Sequence, residues 1–102
     1  MKYKVIVTES AARELDEAYD WLAARTTEHA PAWYNGLLDA ILSLQDMPGR
    51  CPLCPNREET DRKTRQLIYG DKRDAYLILF EIRSEEVFIW HVRHAARREL
   101  ED

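Results

Sequence analysis

The run Ala75-Tyr76-Leu77-Ile78-Leu79-Phe80-Glu81-Ile82-Arg83 constrains the fold of this chain more than any other segment. It contains no Gly or Pro and places an aromatic or β-branched residue at every second position, the pattern of a strand packed on one face. Tyr76, Ile78, Phe80 and Ile82 share the face that must meet the core, while Leu77, Leu79, Glu81 and Arg83 occupy the other. Similar runs flank it. Arg62–Tyr69 precedes it across a Gly70–Asp74 turn, and Val87–His94 follows a Ser84-Glu85-Glu86 turn. Short Gly-containing or polar turns between strands predict a three-stranded antiparallel meander. In the last strand Val87, Ile89, His91 and Arg93 alternate with Phe88, Trp90, Val92 and His94, and both sets are partly apolar, which predicts a bulge. A helical tail is expected over 95–100.

The first half supplies what covers that sheet. Tyr3, Val5 and Val7 alternate with Lys2, Lys4 and Thr8 as a short strand. Ser10 stands where a helix N-cap is expected. Leu15, Ala18, Tyr19, Leu22 and Ala23 then form one apolar stripe, with Arg13, Asp16, Glu17 and Asp20 outward. Pro31 suits the first turn of a second helix. Its stripe is Tyr34, Leu37, Leu38, Ile41 and Leu44 (or Gln45), and Met47-Pro48-Gly49 stops it. The short break between the helices predicts an antiparallel pair. The fold class is therefore α+β: β-α-α-β-β-β, an antiparallel helix pair on a twisted antiparallel sheet, forming a single domain over 1–102.

Charge is divided along the chain. Residues 1–49 hold four basic against eight acidic side chains, whereas 62–98 hold nine basic against five acidic. An acidic helical half and a basic sheet half make the molecule electrically two-sided, although its total is −4. No apolar run approaches the roughly 18–20 residues of a membrane helix, and the N-terminus does not read as a signal peptide, so a cytoplasmic address is expected. Cys51-Pro52-Leu53-Cys54 lies in a loop rich in Pro. It provides two of the four ligands of a zinc site, and the two-residue spacing of His91 and His94 is short for the other pair. As a redox motif it lacks the helix that normally follows. No metal or cofactor is expected.

Three features together resemble the RelE/ParE toxin superfamily, particularly its ParE-like branch. They are Thr64-Arg65-Gln66-Leu67 with Tyr69-Gly70, the aromatic-led Tyr76–Phe80 strand, and the end Val87-Phe88-Ile89-Trp90-His91-Val92-Arg93-His94-Ala95-Ala96-Arg97. The Arg50-Cys51-Pro52-Leu53 loop is similar to loops of ParE-type members, and the resemblance covers nearly the whole chain. It implies the toxin of a type II toxin–antitoxin module serving plasmid stabilisation or stress response. The implied partner is a cognate antitoxin, through which alone operator DNA is bound. It also implies one of two targets. ParE-type members inhibit DNA gyrase, and RelE-type members cut mRNA on the ribosome without metal; a third possibility is an inactive relative that only binds antitoxin.

The nuclease reading would use His91 or His94 as acid and base, with Arg65, Arg83 and Arg93 on the phosphate. In either reading Arg73, Tyr76, Arg97 and Arg98 are candidate contacts, and Leu77 and Leu79 are candidate apolar surface for an antitoxin segment. Plainer roles stand beside these: His91 and His94 as structural groups, Arg65 and Arg83 as strand-edge charges, Arg97 and Arg98 as helix-end charges. Trp21, Trp33 and Trp90 read as core or partner-groove aromatics. The segment 56–63 is charge-balanced where ribosome-dependent members tend to be lysine-rich, and no Tyr follows the last strand. A protein of net −4 also lacks long-range attraction to ribosomal RNA. The gyrase reading is preferred, so the chain is expected to act by binding rather than catalysis.

Overall fold

A computed structural model describes residues 2–54, 63–70 and 75–95. The elements are β1 (Lys4–Val7), α1 (Glu9–Arg25), α2 (Ala30–Leu42), β2 (Arg65–Tyr69), β3 (Tyr76–Arg83) and β4 (Glu86–His94), with two 3-10 turns at Ser43–Gln45 and Pro48–Arg50. The strand order is β1-β4-β3-β2. The meander β2-β3-β4 is antiparallel as the turns predict, but β1 joins β4 in parallel, from Lys4 opposite Glu86 to Val7 opposite Ile89. The sheet is therefore mixed rather than wholly antiparallel. A parallel pair requires a long crossover, and the intervening helices supply one.

The core lies between helices and sheet. Ala11, Leu15 and Ala18 of α1 and Leu37 and Ile41 of α2 pack with Tyr76, Ile78 and Phe80 of β3 and Val87, Ile89 and Val92 of β4. Alanine at 11 and 18 leaves no bulk between helix and sheet, and α1 lies directly against β4. The expected bulge is present. Leu79 pairs with His91 but Phe80 pairs with Ile89, so Trp90 is an extra residue on β4. Val87 and Ile89 face the core before it, Val92 and His94 after it, and each is buried. Without that extra residue the alternation would turn either the first pair or the second away from the core.

Local details depart from the sequence expectation in two places. Thr8, not Ser10, caps α1: its Oγ1 accepts from the Ala11 amide at 3.3 Å and donates to the Ile89 carbonyl at 2.7 Å. Helix and strand share this one residue, so the cap falls at the end of β1 and Ser10 lies within the first turn. The second helix ends at Leu42, ahead of Met47-Pro48-Gly49. Arg50 then gathers the Asp46 carbonyl at 2.7 Å, the Met47 carbonyl at 3.2 Å and Ser43 Oγ at 3.1 Å, satisfying acceptors after the helix end. Ala95 continues the ladder by donating to the Ala75 carbonyl; the rest of the tail expected to 100 lies outside the described residues. No helix among the described residues is long and apolar enough to cross a membrane.

Candidate functional site

The basic and imidazole side chains expected to form one surface are distributed over four environments. The first lies where β4 outruns β1. Beyond Ile89 that edge of β4 has no strand partner among the described residues, and Glu14 of α1 takes its place. Its Oε1 accepts from the Val92 amide at 3.0 Å and stands 3.2 Å from His91 Nδ1, the distance at which an Nδ1–H donates. Its Oε2 is 3.7 Å from Arg93 Nε, and the Arg93 guanidinium comes within 3.5 Å of His91. His91 and Arg93 are therefore brought together, half-buried and sharing one carboxylate.

Arg83, at the far end of β3, belongs to a second cluster. It pairs with Glu81 at 3.0 Å, and the Trp90 indole donates to the same carboxylate at 3.4 Å. Trp90 and Phe88 stack, with centroids 5.8 Å apart and planes 16° apart, and the guanidinium lies 5.4 Å from each ring centroid. Phe88 and Trp90 are two residues apart on β4, and strand alternation puts both rings on one face. Glu81, only 5% exposed, is a buried carboxyl group whose partners are the Arg83 guanidinium and the Trp90 indole.

The third environment is the core itself. His94 is 5% exposed and Tyr76 1%, so neither presents a surface to a base or phosphate as the sequence reading expected. His94 packs edge-on against Tyr76 at 5.0 Å and, at a tilt of 56°, against Trp21 at 5.3 Å. Tyr76 continues to Trp33 at 5.0 Å, and Trp33 to Tyr69 at 5.7 Å. The bulge explains His94: the shifted register turns the end of β4 inward. Tyr69 Oη donates to the Trp33 carbonyl at 2.9 Å and rests on Gly36, where any Cβ would enter the phenol's space. Burial, then the Asp39 carboxylate, hold the Tyr69 phenol above its ordinary pKa.

Arg65 occupies the fourth environment. Its guanidinium donates to the Cys51 carbonyl at 2.6 Å and the Gly49 carbonyl at 3.4 Å, pinning the Pro-rich loop to β2. The Cys54 amide and the Thr64 carbonyl, and the Gln66 amide and the Pro52 carbonyl, tie the same segments. Cys51 and Cys54 are buried free thiols. Burial raises the Cys51 pKa, with Arg50 and Arg65 opposing it in part.

Leu79 was expected to offer apolar surface and is fully buried. It sits on the interior strand, and the long side chains of Gln66 and His91 flank it on its cross-strand row. Leu77 is half-buried, and its neighbour Ile68, 58% exposed, carries the open apolar surface of that row. Arg73, Arg97 and Arg98 lie outside the described residues.

Sequence reasoning missed Glu14, although there was a signal. It falls between Ala11, Leu15 and Ala18, so a carboxylate borders the buried stripe and needs a partner. A cleft between α1 and α2, lined by Asp16, Tyr19, Asp20 and Tyr34, was also missed. There the Tyr34 phenol is held above its ordinary pKa by burial and then by Asp16.

The comparisons agree with this architecture. The family model described as ParE toxin of the type II toxin–antitoxin system parDE matches residues 5–99. A chain of the chromosomal ParDE toxin–antitoxin system from P. aeruginosa is similar in structure, with TM-score 0.73 and 20% identity over 91% of this chain and 96% of that one. A chain of the RelBE2 toxin–antitoxin complex from Mycobacterium tuberculosis superposes with TM-score 0.57 and 23% identity, over 92% and 99% of the two chains. No curated protein matches the sequence. The two structural likenesses establish the fold, and the family match over nearly the full length establishes more: this chain belongs to the ParE toxin family of type II toxin–antitoxin systems.

Proposed function

We propose that this toxin acts by binding DNA gyrase and stopping supercoiling, not by cutting mRNA, and that a cognate antitoxin silences it by covering its surface. Operator DNA would be met only through that antitoxin, and the module would serve plasmid stabilisation or a stress response.

The observation that carries the choice of target is the engagement of the groups a nuclease would need. Cleavage by 2′-OH attack requires a base in reach of that hydroxyl, cations on the developing phosphorane charge and an acid for the leaving oxygen. His91 and Arg93 share Glu14, Arg83 is paired with Glu81, and His94 lies in the core. A phosphate reaching Arg83 or Arg93 would meet an adjacent carboxylate already bound to the same cation, and the two anions would repel. Inhibition by binding makes no such demand: a rigid, shaped surface suffices, and the Phe88–Trp90 pair with Arg83 is of the residue types that dominate protein interfaces.

Induced expression followed by pulse labelling tests the reading. DNA synthesis should fall before protein synthesis, and co-expression of the small protein encoded beside this chain should restore growth. Translation collapsing first, with DNA synthesis continuing, would overturn the gyrase assignment.

A further inference from the structure

The helical face opposite the sheet carries a feature that the gyrase reading does not use. Between α1 and α2 lies an open cleft of about 380 Å³ lined by Asp16, Tyr19, Asp20 and Tyr34. The two rings meet edge to face, centroids 5.2 Å apart at 78°, forming an aromatic wall. Asp16 and Asp20 are one helical turn apart on the rim, where like charges at i and i+4 repel each other. Neither is in an ion pair among the described residues. The nearby cation Arg25 lies 4.7 Å over the Trp21 ring instead.

We propose that this cleft is the seat of a basic side chain, preferably arginine, donated by the antitoxin; this rests on the reading that an antitoxin holds the toxin. A guanidinium is planar, stacks on aromatic rings and donates from two edges at once, so one group can satisfy both carboxylates and the ring wall. The charge of the region favours it: residues 1–49 carry eight acidic side chains against four basic ones. A nucleic-acid phosphate would be repelled by the same pair of carboxylates. Among the described residues no group of three or more His, Cys, Asp or Glu side chains is placed to hold a metal ion, and a protonated phenol is a poor ligand for a hard divalent cation.

The cation preference is tested on the unmodified chain by following the Tyr19 and Tyr34 ring resonances against N-acetyl-arginine amide and its neutral isostere N-acetyl-citrulline amide. A saturable shift with the first and none with the second supports the proposal; equal shifts, or no saturation with arginine, overturn it. The antitoxin's part is tested with the exposed double substitution Asp16→Asn/Asp20→Asn, its fold verified by circular dichroism. Affinity for the small protein encoded beside the chain should fall at least tenfold while the variant expressed alone still arrests growth. Unchanged affinity would overturn the proposal with the toxin assignment intact. Failure of the unmodified chain to arrest growth would instead remove the toxin reading, and the seat's assignment to an antitoxin with it.

Discussion

Replacing Glu14 tests how the end of the sheet is closed. Its carboxylate serves the Val92 amide at 3.0 Å, in a residue only 3% exposed, and pairs with His91 and Arg93. Glu14→Ala leaves that amide without its acceptor, a loss of about 1–3 kcal/mol. The ion pairs add at most about 1 kcal/mol, because the His91 and Arg93 side chains are 37% and 36% exposed and solvent screens them. Glu14→Ala should therefore cost about 1–4 kcal/mol, and each kcal/mol lowers Tm by roughly 4–8 °C at this chain length. Glu14→Gln keeps an amide oxygen for Val92 and loses only the charge, so its cost should stay below about 1 kcal/mol. Urea denaturation of the three proteins measures both numbers. An alanine variant within about 0.5 kcal/mol of the parent, or a glutamine variant as damaged as alanine, would refute the view that α1 completes the hydrogen bonding of the β4 edge.

Three further outcomes follow from the packing. Gly36→Ala should destabilise by about 1–2 kcal/mol despite alanine's better helix propensity, because its Cβ would overlap Tyr69 Oη; adding Tyr69→Phe should make the pair less damaging than the two losses summed, as read by denaturation. The Cys51 thiol, buried and with a raised pKa, should react with a maleimide at pH 8 far more slowly in the native chain than in urea; comparable rates would refute its burial. Stability should fall as pH rises from about 10, where an unfolded tyrosine ionises, through the higher pKa of folded Tyr69. Burial, then Asp39, keep that phenol protonated in the fold, so its contribution is complete below about pH 10 and lost above; Tyr69→Phe should flatten that part of the profile.

The parts of this fold legible in the sequence are those governed by local periodicity. The Tyr76–Ile82 alternation gives an interior strand, and the Leu15–Ala18 and Leu37–Ile41 spacings give the helix faces that cover it. The presence of a bulge could be read from two partly apolar sets on one strand, but its position could not. Only the cross-strand pairing identifies Trp90 as the extra residue, and that identity decides that His94 enters the core while His91 and Arg93 stay outside. The parallel pairing of β1 has no local signal either. Its partner is distant in sequence, and its direction is set by how the helices carry the chain back.

The site was harder to read for a related reason. Arginine and histidine mark potential chemistry, but their availability depends on carboxylates elsewhere in the chain. Glu14 is 77 residues from His91, and nothing in the spacing of β4 announces it. Glu81 and Arg83 are only two apart, yet the burial of Glu81 and the Trp90 indole that donates to it from the neighbouring strand come from the cross-strand packing. Leu79 looked like surface because its face of β3 also carries a charged pair; its position between Gln66 and His91 on the interior strand buries it.

The most direct measurement places the purified chain in two reactions side by side: plasmid supercoiling by DNA gyrase with ATP, and translation of a defined mRNA followed by primer extension. The account predicts that supercoiling is lost as toxin approaches equimolar gyrase, with the message intact. Cuts in the message at codons in the ribosomal A site, with supercoiling unaffected, would contradict it.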